Sequence, residues 1–145
     1  MFPINFVAVL VAALANFIIG FLFHGPLFGK TWMKLANITP TGNEKFSDMI
    51  PQMVKNYLAN VVCAFVLAGI YHQIVLQNVL SSFSGAIGND ILGGMICAFW
   101  VWLGFIVTSS SMEVIWMKRS TKLWLFEMVS SLVSLLAMGA IIAVW

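Results

Sequence analysis

The hydrophobic pattern of the chain is a succession of long apolar runs separated by short polar stretches. The first run, residues 4–25, carries no charge and ends at Gly25-Pro26, a pair that favours a helix stop. A polar stretch follows, with Lys30, Lys34, Glu44, Lys45 and Asp48 interrupted by Pro40, Gly42 and Pro51. Apolar runs then cover residues 54–77, 91–112 and 123–145. They are joined by a turn-rich link at 81–90 (Gly85, Gly88, Asn89, Asp90) and by Lys118-Arg119-Ser120-Thr121-Lys122. Each run reaches the roughly 20 residues that a helix needs to cross a hydrocarbon core about 30 Å thick. The pattern predicts an all-α polytopic membrane protein, a single transmembrane domain over 1–145 with four helices in a bundle. The first run has no basic segment before it and no cleavage site after it, so it reads as a retained span rather than a signal peptide.

Composition agrees. Of 145 residues 61% are hydrophobic and 8% charged, against about 25% charged in an ordinary soluble domain. That balance excludes a water-soluble fold. Cys63 and Cys97 lie inside apolar runs without a C-x-x-C spacing and read as packing residues at different depths.

Charge sets an orientation. All seven basic residues, Lys30, Lys34, Lys45, Lys55, Lys118, Arg119 and Lys122, fall in or beside the first and third loops. Basic loops are retained in the cytoplasm, so both termini are expected outside a cell (inner) membrane. Trp32, Trp116 and Trp124 suit an inner aromatic belt and Trp145 an outer one. Phe28, Trp32, Met33 and Leu35, mixed with Lys30 and Lys34, form the pattern of a short segment lying among head groups, or else an ordinary solvated loop. Trp100 and Trp102 fall in mid-span and point to roughly opposite sides of one helix, one towards a neighbour and one towards lipid.

The string from Gly20 to Lys34, GFLFHGPLFGKTWMK, is similar to a motif of the domain-of-unknown-function 1761 family. Gly20, Pro26, Phe28, Gly29, Lys30 and Trp32 match it, whereas Phe23 and His24 stand where the family pattern has Trp-Tyr. Leu103-Gly104-Phe105 and Gly139-Ala140 also resemble that pattern. The resemblance implies a four-helix bacterial membrane fold and implies no activity.

Ionisable groups inside spans are costly and therefore informative. His24, Asn60, Glu113 and Glu127, with Asn56 beside them, all fall towards the cytoplasmic third. They form a candidate polar site, a hydrated pocket able to pass protons or hold a cation. The alternative is interfacial anchoring, with Glu127 reaching Lys122 or Arg119 and His24 turned to head groups. Ala12, Asn16 and Gly20, in a row with Ala8, are spaced at i+4, as are Ser130 and Ser134, the spacing of helix-packing faces. The hydroxyl run Thr108 to Ser111 has no base beside it and reads as bonding to backbone carbonyls. Phosphate-loop, H-E-x-x-H and G-x-S-x-G motifs are absent from the sequence, and three basic residues in one loop make no nucleic-acid surface.

These readings point to a non-enzymatic membrane protein with no cofactor or metal. Its expected partners are the lipid bilayer and either copies of itself, as a homo-oligomer, or a larger membrane complex. The alternative is a small transporter or channel whose polar, cytoplasmic-side site is built at an oligomer interface.

Overall fold

The computed structural model describes residues 4–39, 46–76 and 91–145. The turn-rich link at 81–90 and residues Pro40, Gly42, Glu44 and Lys45 of the first loop lie outside the described residues. Six α-helices are present among the described residues: α1 (Phe6–Leu22), α2 (Gly29–Leu35), α3 (Phe46–Leu76), α4 (Ile91–Val101), α5 (Thr108–Ile115) and α6 (Thr121–Val144). A kinked segment, Phe23–Leu27, broken at Gly25, follows α1, and a wider π-helical turn joins α4 to α5 through Trp102–Val107. Four helical units are long and apolar enough to cross a bilayer: Phe6–Leu27, Met49–Ile74, Ile91–Ile115 and Thr121–Val144. They are referred to below as spans one to four.

Local chemistry explains the ends. Asn5 caps α1, its side-chain oxygen accepting from the backbone N–H groups of Val7 (3.0 Å) and Ala8 (3.3 Å), which satisfies donors that a helix start otherwise leaves open. Gly25-Pro26 interrupts the regular helix, as the sequence suggests. The chain breaks its geometry at Gly25 (φ −118°, ψ −105°) and carries Pro26 inside the kinked segment. The segment 28–35 folds as the short helix α2, closed by Asn37 in the left-handed region (φ 54°). Ile38 N–H bonds the Met33 carbonyl there (2.9 Å), a Schellman-type closure. Pro51, by contrast, does not separate loop from span: α3 begins at Phe46 and includes it. Near a helix start, a proline removes only one ladder bond.

Span four is the centre of the arrangement, packed against both span one and span three, while span two packs on span one and touches span three more lightly. Asn5 Nδ2 reaches the Trp145 carbonyl (3.4 Å), so both termini sit at one end, and the described basic residues sit at the other. The half nearer the termini is closely packed: Val9, Ala12 and Ala13 meet Ala64, Leu67 and Tyr71, with Cys97 and Ala98, and Leu135, Met138 and Ile142. Alanines here let backbones approach. Gly94 and Gly139 bring them closest, since a Cβ placed on either would overlap the other's carbonyl oxygen. Outside this core the surface is apolar. Val7, Leu10, Leu14, Ile18 and Phe21 form an exposed row along span one, as a helix facing lipid requires.

Candidate functional site

Nearer the basic end, between the four spans, lies a cleft of about 480 Å³. Every span contributes. Span one supplies Asn16, Phe17, Gly20, Phe21 and His24; α3 supplies Met53, Asn56, Asn60 and Cys63; the π-turn after α4 supplies Ile106; span four supplies Glu127, Ser130, Ser131, Ser134 and Leu135. In each span the residues that line the cleft lie nearer the basic end than those that fill the core. One half of the bundle is therefore solid and the other hollow.

Side-chain size accounts for the difference. Across the core, alanines and glycines are filled by Leu67, Met138 and Leu135. Across the cleft, Gly20 has no non-local atom within 4 Å of where a Cβ would stand, and Ser130, Ser131 and Ser134 present only short hydroxyl groups. Asn16 Nδ2 donates to Asn60 Oδ1 (3.2 Å), joining the first two spans across the cleft wall. His24 hydrogen-bonds the Gly20 carbonyl through Nδ1 (2.9 Å). A carbonyl only accepts, so Nδ1 carries the proton and, in the neutral ring, Nε2 is an acceptor. The His24 ring is also held edge-on by Trp32 (5.3 Å between centroids) and Phe126 (5.8 Å). Phe28 packs on Phe126 (6.2 Å) and on Phe23 (5.3 Å), so this aromatic cluster ties α2 to the mouth of the bundle.

A charge bridge stands beside the same mouth. Arg119 Nη2 donates to Glu127 Oε1 (2.9 Å), and Nη1 donates to Glu113 Oε2. The chain turns to present this side chain because Lys118 adopts φ 52° and Arg119 N–H bonds the Glu113 carbonyl (3.2 Å). Hydrogen bonding to Glu113, reinforced by the charges of Glu127 and Glu113, holds the guanidinium above its ordinary pKa despite some desolvation. The side chains remain 37% (Arg119), 42% (Glu113) and 26% (Glu127) exposed. At such exposure an ion pair contributes about 0.2–1 kcal/mol. The bridge is therefore easily opened.

Spans three and four are joined on either side of the π-turn by two indole donors. Trp102 Nε1 donates to Ser131 Oγ (3.0 Å) and Trp124 Nε1 to Ser110 Oγ (2.9 Å). Trp102 thus faces a neighbouring helix, and Trp100, 55% exposed, faces outward. The hydroxyl run serves the backbone. Thr108 Oγ1 donates to the Gly104 carbonyl (2.6 Å) and Ser109 Oγ to that of Phe105, carbonyls inside the π-turn where regular bonding is interrupted.

Of the residues singled out from the sequence, His24, Asn60 and Glu127 share the cleft, while Glu113 lies outside its lining and meets Glu127 only through Arg119. Ala12 packs fully buried in the core. Asn16, Gly20, Ser130 and Ser134, read as packing residues, line the cleft as well, and the two serines are nevertheless buried. The sequence pattern does not single out Phe17, Phe21 or Cys63 for this site. Phe17, Gly20 and His24 follow the i+3, i+4 face that also carries Ala13, a signal present in the sequence. Cys63 and Cys97 are both free. The cleft is lined by residues of all four spans of a single chain.

The fold and the cleft together define a polytopic helical membrane protein with a polar recess inside its bundle. The chain belongs to the DUF1761 family of proteins of unknown function, whose profile matches residues 7–143. No curated protein matches it, and no solved structure does.

Proposed function

We propose that this protein is a small carrier of the cell (inner) membrane that admits a small polar solute from the cytoplasm into the cleft within its bundle. One observation carries the reading: a recess to which three spans contribute polar side chains, among a larger apolar surface, backs on its side towards the termini onto the alanine-rich core that holds the Gly94–Gly139 contact. A recess open at one end and sealed at the other is the form of a binding site with one-sided access. The orientation rests on the basic residues at the cleft end, which the cytoplasmic bias of Lys and Arg assigns to the inner face. Opening the sealed half needs a span to bend, and the kink at Phe23–Leu27 and the π-turn at Trp102–Val107 are irregularities of the kind found at functional bends.

The reading is one of binding and passage rather than catalysis. Self-association or an accessory role in a larger complex has less support. Ala12, Gly94, Gly139, Ser130 and Ser134 are spent on contacts inside one chain, whereas Gly69 and Gly104 remain open to a second helix.

Reconstitution in liposomes with the basic loops outward tests this. The chain should accelerate uptake of some members of a panel of small cationic, neutral and anionic solutes. Ser134→Leu, which fills the cleft, should abolish the effect. A folded protein that accelerates uptake of none of them would contradict the proposal.

A further inference from the structure

We infer that the cleft selects a small organic cation, and that Arg119 is its tethered stand-in, occupying the same carboxylate when no ligand is bound. This rests on the cleft described above as a binding recess and adds the class of ligand it takes.

The polar groups facing the recess are amides, hydroxyls and the His24 imidazole, which both donate and accept, and a single carboxylate. Glu127 is the one carboxylate among its described lining residues, and those residues include no Lys or Arg. The His24 Nδ1 proton is engaged by the Gly20 carbonyl, so Nε2 is the ring nitrogen left for a ligand. Asn60 Oδ1 takes a proton from Asn16, so the amide oxygen of Asn16 remains for a ligand's N–H. Phe17 is the aromatic ring on the same face of span one, and a cation beside an aromatic ring is attracted to its face. The one charge of the lining, the Glu127 carboxylate, suits an ammonium or guanidinium head on a short apolar stem and opposes an anion.

Arg119 already makes the contact such a ligand would make. Its guanidinium reaches Glu127 from the loop between spans three and four, at 2.9 Å, without itself lining the cleft. Its second amino group is held by Glu113, which is outside the cleft lining and more exposed than Glu127. Glu113 therefore provides a place for Arg119 to remain when a competing cation takes Glu127. A purely structural bridge would need only one acid. Two acids, one in the recess and one outside it, make an exchange of partners possible without leaving any charge unpaired.

The test is binding of four matched probes to the purified full chain in maltoside micelles: butylguanidinium, butylammonium, the neutral butyramide, and butyrate. The two cations should bind about tenfold or more tightly than butyramide, the range expected for a hydrogen bond to a charged group, and butyrate should not bind. Glu127→Gln, which keeps the shape of the site, should erase the cation preference. Arg119→Gln should lower thermal stability yet tighten cation binding several-fold, because the internal competitor is gone. Repeating the titration with added phosphatidylethanolamine separates two sources of the same chemistry. A fall in butylammonium affinity points to a lipid amine headgroup, and no change to a free solute. Butyramide binding as well as butylammonium, or cation affinity unchanged in both variants, would overturn the inference. Neither result touches the existence of the recess, which chemical labelling of Cys63 decides separately.

Discussion

Gly94 and Gly139 face each other across spans three and four so closely that neither position has room for a side chain. This contact seals the half of the bundle opposite the cleft, and it sets the distance at which the two helices run. Gly139→Leu should therefore force the spans apart. Overpacking of this kind costs about 1–3 kcal/mol or more, read as a lower unfolding midpoint in mixed micelles. Gly104→Ala is the control. A methyl group added at that position would meet no non-local atom within 4 Å, so its effect should be much smaller.

The Asn16–Asn60 bond joins spans one and two at the cleft wall. Interhelical hydrogen bonds in membranes average about 0.6 kcal/mol and reach about 1.7. Asn16→Leu and Asn60→Leu should each destabilise the fold by that order. In a double-mutant cycle the two losses should not add. Full additivity would show that the pair does not interact in the membrane.

Trp102 and Ser131 test the link across the π-turn. Trp102→Phe keeps an aromatic ring but removes the Nε1 donor to Ser131. A loss of about 0.5–1.5 kcal/mol is expected, and Ser131→Ala in the Trp102→Phe background should add little further. Equal losses from Ser131→Ala with and without Trp102 would contradict the bond.

Much of this molecule is legible in its sequence, for reasons that differ by level. The spans are legible because a bilayer demands length and apolarity, both of which are local properties. Span edges are less so: the helix start at Phe46 depends on tolerating Pro51 near a helix start, where few ladder bonds are lost. The polar residues at one end can be counted from the sequence, but which of them share a recess depends on the order of helices around the bundle. Span four lies between spans one and three, and that order brings His24 and Glu127 to one cleft while leaving Glu113 outside. Ser130 and Ser134 illustrate the same limit. Their i+4 spacing announces a helix face, and only the arrangement of the spans decides that this face borders a cavity as well as a neighbour.

The central claim, a recess open to water from the basic side and sealed at the other end, can be tested on the native cysteines. Cys63 lines the cleft and Cys97 is buried in the core, 1% exposed. In sealed vesicles, a small membrane-impermeant maleimide added on the side of the basic loops should label Cys63 and leave Cys97 unmodified, and added on the other side should label neither. Protection of Cys63 from the basic side, or labelling of it from the side of the termini, would contradict the account.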